Sequence, residues 1–441
     1  MKLKKIKIEN FRCFESLEID FDKDVNVIVG VNGAGKSSIL DAIRIALCEV
    51  AISYQYTFNN VQDKVISLND FYIPPDSQDP FRCRAQNCLI TTEALTDSTI
   101  ITWKQNFLQN MAYYQINNQN TAAIKQWKTL LWDEAKNNSS TIIPLQVYYL
   151  AQRRLAQLPA MGNLLEQKME RPSAFNDCLH AGSDYQMTCQ WLFLRSHVEM
   201  SNREKNHDWQ FEFPDLKAIR NVFNIIFDTN VRIFFGETMP PRLMVEIMRN
   251  NKQECLMLDQ LSDGYRNMLA MILDFARRLA VANPYLDNPL ESPGILLIDE
   301  IELHLHPKWQ QTIIPNLRKV FPNTQIIVTT HSPQVLTTVD RKNIRILKDN
   351  TIYPVTESTK GSEAKRMLEN ILETESRPPD SEIGKKIKTI YDLINEDKLD
   401  NAQKEIDNLQ YIDENIKMDE PAIIEAESLI TCKRWEKEND L

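Results

Sequence analysis

The chain has 441 residues, of which 43% are hydrophobic and 25% charged, with a formal net charge of −10. That length suits two or three domains with a sizeable core, and the acidic balance excludes a chain that coats nucleic acid through bulk charge, though not one with a local basic patch. The eight cysteines are scattered without a Cys-x-x-Cys pair, so they read as reduced thiols and not as a zinc site or a disulfide framework.

The opening Met1-Lys2-Leu3-Lys4-Lys5 leads into Ile6-Lys7-Ile8, an alternating strand and not a signal-peptide core. No stretch approaches the ~18 consecutive apolar residues of a membrane span, so the expectation is a cytoplasmic protein that makes no membrane contact. Val25-Asn26-Val27-Ile28-Val29 is a short β-branched run, and Ser38 to Leu47 has helical spacing. Between them, Gly30-Val31-Asn32-Gly33-Ala34-Gly35-Lys36-Ser37 is a complete phosphate-binding loop, holding three of only ten glycines in the chain, which argues against a chance match. Strand, loop and helix follow in the order that such a loop requires. The backbone N–H groups of Asn32, Gly33, Ala34 and Gly35 would wrap a β-phosphate at the helix N-terminus, with Ser38 beside them. Lys36 would reach the β- and γ-phosphates, and Ser37 would ligate Mg²⁺.

Residues 50 to 250 contain Pro74-Pro75, Pro80 and an Asn-rich stretch near 117 to 120, with no sustained heptads and hence no long coiled coil. Ile142 to Tyr149 reads as a strand. The basic pairs Arg153-Arg154, Arg277-Arg278 and Lys385-Lys386 read as solvated helix edges before DNA contacts. Leu261-Ser262-Asp263-Gly264-Tyr265-Arg266 precedes an apolar-periodic helix through Met268, Ile272, Phe275 and Leu279. Ser262 can cap that helix, and Gly264 allows close backbone approach.

Gly294-Ile295-Leu296-Leu297-Ile298-Asp299-Glu300 is an apolar strand ending in two acids, a Walker B segment. Asp299 would hold the metal, and Glu300 would orient and deprotonate the water that attacks the γ-phosphate. In Glu302-Leu303-His304-Leu305-His306 the spacing could bind a cation, but a loop that contacts a second subunit is the favoured reading. Pro307 to Val320 reads as a crossover helix. It leads to the strand Gln325 to Thr330 beside the Walker B strand, with His331 placed as a γ-phosphate sensor. The tail after Val355 is acidic and helical in pattern, through Met367, Ile371, Ile383, Ile387 and Ile390, with a last helix near Pro421.

Assembled, these residues resemble the ABC-type ATPases, in the soluble branch that includes RecF, the SMC heads and the overcoming-lysogenization-defect proteins. Ile6 to Phe14, with Arg12, looks like the N-terminal strand and turn of that branch. Leu261 to Tyr265 is similar to the signature motif but departs from Leu-Ser-Gly-Gly-Gln at Asp263 and Tyr265. The Q-loop glutamine has no clear counterpart; Gln55 and Gln62 are the candidates. The resemblance implies an α/β P-loop head with a mixed sheet and flanking helices, a helical insert and a helical C-terminal tail. On this division the head comprises 1–50 and 230–355, the insert with its helical lid 51–229, and the tail 356–441. It also implies that two heads dimerise face to face, each ATP lying between the Walker motifs of one subunit and Ser262, Asp263 and Gly264 of the other, with Arg12 near the nucleotide.

The tail has no Asp-x-Asp strand end, so no Toprim nuclease module is expected. The compact head resembles most the ATPases of Septu-type antiphage defence and their retron-associated relatives, with weaker marks at Ile142–Tyr149, Asn176–Leu179 and Glu363–Leu368. That resemblance implies ATP and Mg²⁺ as cofactors, homodimers or higher oligomers, and a separate HNH-type nuclease subunit through which nucleic acid is reached. The tail is either the docking surface for that partner or a solvated end. A RecF-like repair ATPase that binds DNA directly is the alternative.

Overall fold

The runs at 25–29, 294–298 and 324–330 are apolar at their centres with no outward polar alternation, and in the computed structural model every residue of all three is buried, as strands covered on both faces must be. The structure describes residues 1–51, 66–74, 84–108, 115–117, 121–151, 170–179, 185–227, 231–237, 242–249, 252–257, 260, 263–375, 377–378, 381–409 and 420–438. By internal contacts the chain divides into two units, Met1–Met367 and Leu368–Leu441.

In the first unit the strands are β1 (Lys2–Phe11), β2 (Phe14–Asp20), β3 (Val25–Val29), β4 (Asn87–Thr96), β5 (Thr99–Leu108), β6 (Gln115–Asn117), β7 (Leu145–Tyr149), β8 (Val231–Phe235), β9 (Leu243–Arg249), β10 (Lys252–Met257), β11 (Gly294–Ile298), β12 (Thr324–Thr330), β13 (Ile344–Lys348) and β14 (Thr351–Pro354). The central sheet runs β14-β13-β3-β12-β11-β7, parallel except for the antiparallel edge strand β14. Among the described residues there are also two antiparallel sheets, β2-β1-β4-β5-β6 and β10-β9-β8. β1 has the alternation foreseen for it: Leu3, Ile6 and Ile8 are buried while lysines face outward, so one face of its sheet is solvated.

The stretch 51–229, expected as an insert, contributes to both of the larger sheets. β4 and β5 extend the β1–β2 pair, and β7 forms an edge of the central sheet. Pairing partners of β7 lie some 150 residues downstream, Ile298 opposite Tyr149, a juxtaposition that local periodicity does not reveal. The crossover expected over 307–320 is broken into Pro307–Gln310 and Ile313–Val320.

Register decides what meets at the site. Thr330 lies opposite Val29, and Val328 opposite Ile298. The chain therefore leaves β3, β12 and β11 at one end of the sheet, where ligands bind open parallel sheets. β3 sits between β13 and β12, and at its exit a Cβ on Gly30 would lie 2.5 Å from the Leu347 carbonyl, so that position admits glycine only.

The second unit has a core of its own. The helices Glu382–Asn395, Leu399–Leu409 and Pro421–Glu438 bury Ile387, Ile390, Ile394, Ala402, Ile406, Leu409, Ile423, Ala426 and Ile430 together. Ser381 caps the first of them, its Oγ accepting the Gly384 N–H at 3.0 Å. Among the described residues no helix is long and apolar enough to cross a membrane.

Candidate functional site

The phosphate loop turns on two left-handed glycines, Gly33 at φ +81° and Gly35 at φ +102°. Gly35 has a second constraint: a Cβ there would stand 2.6 Å from Cys13 Sγ and 2.7 Å from Phe14 Cζ, because the β1–β2 turn packs beneath the loop. The loop opens directly into the helix Lys36–Ala51, whose Ile39, Leu40, Ile43, Ala46, Leu47 and Val50 form the buried stripe. Asn32, Gly33 and Ser37 are exposed, whereas Lys36 is only 6% exposed. Its Nζ donates to the carbonyls of Gly30 and Val31, both at 3.0 Å, which holds the ammonium inside the loop.

Arg12 stands beside this helix at φ +49°. Its Nε donates to Asp70 Oδ1 at 2.7 Å, and its Nη1 donates to Asp41 Oδ2 at 2.6 Å and to Ser38 Oγ at 3.5 Å. The guanidinium is thus next to Ser38 at the base of the loop and engaged by two carboxylates.

On the next strands, Asp299 and Glu300 leave β11. Asp299 donates its N–H to the Tyr149 carbonyl at 2.9 Å. Thr329 Oγ1 donates to Asp299 Oδ1 at 2.6 Å and accepts the Glu300 N–H at 2.8 Å. Glu300 is held at φ +46°, a sparsely populated conformation for a residue with a side chain. Burial pulls the Lys36 ammonium below its ordinary pKa, while Asp299, Glu300 and Glu302 push the other way, so both Walker segments share one electrostatic environment. For His331, burial and then the charge of Lys36 lower its pKa against the same three acids, which favours a neutral imidazole near neutral pH.

The structure therefore brings together Lys36, Asp299, Glu300 and His331. Leu261 and Ser262 lie outside the described residues, as do Arg153-Arg154, Gln55 and Gln62. The helix Asp263–Ala282 is present, and at its start Gly264 is pressed so closely on the loop after Glu300 that a Cβ would lie 2.2 Å from the His304 carbonyl. His304 and His306 are both exposed, and His306 Nδ1 accepts the Lys308 N–H at 3.3 Å to start the short helix Pro307–Gln310. Glu302 is turned toward Thr330 and His331, and among the described residues no cluster of three or more His, Cys, Asp or Glu side chains could hold a metal.

Arg277 and Arg278 correct an expectation. They are 3% and 2% exposed, not on a solvated edge, because the helix that carries them is apolar on nearly all sides. Arg277 Nη2 and Arg278 Nε donate to the fully buried Asp274 at 2.7 and 2.9 Å, and the Tyr149 hydroxyl donates to the same carboxylate at 2.7 Å. Burial disfavours ionised Asp274, but Arg278 and Arg277 outweigh it and hold the carboxyl at about 2. Sequence reasoning passed over Thr329 and this cluster, and weighed Glu302 only as a cation ligand beside the two histidines; for the cluster, the i+3 and i+4 spacing of the arginines from Asp274 was a usable signal.

The model of the RecF/RecN/SMC N terminal domain matches residues 2–353, and the chain belongs to that family. A retron Ec83 probable ATPase of Escherichia coli is 26% identical over an alignment of 494 positions that covers 99% of this chain and 88% of the relative. A retron Vc95 probable ATPase of Vibrio cholerae serotype O1 biovar El Tor is 27% identical over 79% of this chain and 74% of its own length. A Septu protein PtuA of Bacillus thuringiensis is 23% identical over 76% of this chain and 72% of its own length. The chain is an ATPase with an ABC-type P-loop head, and its fold is the α/β head of that class with a helical C-terminal region.

Proposed function

We propose that this ATPase is the nucleotide-driven subunit of an antiphage defence complex, in which two heads close on ATP and control a separate HNH-type nuclease. The observation that carries the reading is the reach of the similarity to a retron-associated ATPase, 99% of the chain, which takes in the segments outside the ATPase motifs as well as the motifs themselves.

The residues fit Mg²⁺ and ATP. Asn32 and Gly33, both exposed residues of the loop, would offer their N–H groups to a β-phosphate. Lys36, once its bonds to Gly30 and Val31 are exchanged for phosphate oxygens, neutralises the β- and γ-phosphates. The Ser37 hydroxyl and the Asp299 carboxylate would hold Mg²⁺, which supplies charge neutralisation across the two phosphates. Glu300 then takes the proton of the attacking water, and neutral His331 donates to the γ-phosphate. Arg12, bonded to Ser38 Oγ at 3.5 Å, stands at the base of the loop and would lie near the nucleotide.

In this reading Ser262, Asp263 and Gly264 of one head complete the site of the other. Closure of the pair is then favourable only with ATP bound, and hydrolysis removes the γ-phosphate that bridges it. The helical unit after residue 367 is the docking surface for the nuclease or for further copies. The test is affinity purification of the full chain from its native operon with ATP present, followed by mass spectrometry. A stoichiometric small HNH protein supports the complex; recovery of the chain alone or with DNA-repair proteins moves the assignment to a RecF-like ATPase.

A further inference from the structure

Glu302 contributes its charge to the surroundings of Lys36 and His331 but holds no phosphate, metal or water in the site derived above, and both oxygens of its carboxylate are engaged at the end of β12. Oε1 accepts the backbone N–H of His331 at 2.5 Å, and Oε2 accepts the Thr330 hydroxyl at 2.7 Å. The two bonds are made from the loop that follows Glu300, and they complete a series. The Glu300 N–H bonds to Thr329 Oγ1 at 2.8 Å and the Ile301 N–H to the Thr329 carbonyl at 3.1 Å, so residues 300, 301 and 302 hold residues 329, 330 and 331.

His331 stands one residue past the last residue of β12, where a strand's hydrogen-bond ladder no longer fixes the backbone. A side-chain acceptor on its N–H therefore decides where its Cα–Cβ bond points, and a charged acceptor in half-buried surroundings makes a stronger bond than a neutral one. Glutamate has the reach to bridge both groups from a separate loop. The same loop lies against Gly264 through the His304 carbonyl, so Glu302 joins the start of the Asp263–Ala282 helix, through a few residues of backbone, to His331.

We propose that Glu302 is a positioning residue for ATP hydrolysis: it clamps the Thr330–His331 segment so that the imidazole faces the γ-phosphate, and it makes the placement of His331 follow the loop 301–306. The proposal rests on His331 as the γ-phosphate sensor. It differs from a purely structural role in acting on turnover without acting on nucleotide affinity.

The experiment compares steady-state ATP turnover with equilibrium ADP binding in the full chain carrying Glu302→Ala, Glu302→Gln, His331→Ala, or Glu302→Ala with His331→Ala. Glu302→Ala is expected to lower kcat by about ten- to a hundredfold, as misplacement of a reacting-centre group does, with ADP affinity within about twofold of wild type. Glu302→Gln keeps an acceptor for the His331 N–H and restores most of that loss. In the His331→Ala background, Glu302→Ala adds nothing further. Wild-type turnover in Glu302→Ala beside an inactive His331→Ala, or losses that multiply in the double variant, overturns the positioning role alone. Loss of ADP affinity in step with turnover in both Glu302 variants also overturns it, as a mere folding defect. Full turnover in His331→Ala overturns the sensor reading, and the proposal with it.

Discussion

Thr329 Oγ1 gives its proton to Asp299 Oδ1 at 2.6 Å and takes the Glu300 N–H at 2.8 Å, so one hydroxyl on β12 orients both acids at the end of β11. Valine at 329 keeps the shape and the β-branching that a central strand favours but neither bond. Thr329→Val should stay folded at a cost of about 1–3 kcal/mol for the unpaired groups. Its Mg²⁺-dependent turnover should fall by about ten- to a hundredfold, the usual effect of losing a group that orients a metal ligand, and Thr329→Ser should recover it. A turnover-against-Mg²⁺ titration decides; an unchanged curve for Thr329→Val would remove the hydroxyl from the site.

Lys36 and Glu300 separate binding from chemistry. Lys36→Ala empties the loop of the one ammonium that its carbonyls hold, and nucleotide titration should detect no productive binding. Glu300→Gln keeps size and placement but cannot accept the water's proton, so it should bind ATP, lose about a hundredfold or more in turnover, and accumulate as a dimer by light scattering. Normal turnover in Glu300→Gln would reassign the base.

Gly264 is fixed by contact with the His304 carbonyl and not by its own φ, which is helical. An added Cβ at 2.2 Å from a backbone oxygen cannot be accommodated by a side-chain rotation, so either the helix start or the loop 301–306 must shift. Gly264→Ala should cost about 1–3 kcal/mol by overpacking and lower turnover more than ADP binding, since the displaced loop is the one that carries Glu302. Retention of wild-type turnover would mean that the loop yields freely.

What the residues announce on their own is the chemistry at the end of each buried run: Gly30–Ser37 after β3, Asp299-Glu300 after β11, His331 after β12. Each is contiguous, apolar at its centre, and closed by glycines, acids or an imidazole. The links between the runs are not contiguous. Thr329 reads as an ordinary strand threonine until register sets it beside Asp299, and β7 reads as one more strand until Tyr149 is found opposite Ile298. Arg277-Arg278 misled because a pair of arginines suggests solvent. Yet the unbroken apolar run Met268 to Leu273 marks a helix buried all round, and such a helix can hold arginine only against an internal acid.

That acid gives a pH signature. Asp274 ionises at about 2 in the folded chain against 3.8 as a free side chain, its burial outweighed by Arg278 and Arg277. A carboxyl whose folded pKa is depressed contributes stability above the unfolded pKa and loses it as pH falls toward the folded one. The contribution, about 2 kcal/mol, should be complete above about pH 4 and disappear between roughly pH 4 and pH 2. Asp274→Asn removes that step and leaves two arginines buried without a counter-charge, a loss of about 3–5 kcal/mol at neutral pH. Tyr149→Phe deletes one bond to the same carboxylate and should cost only about 1–2 kcal/mol, with the acid step retained. Denaturant unfolding of the three chains from pH 7 down to the acid limit checks this. An acid step of equal size in Asp274→Asn would place the titrating group elsewhere.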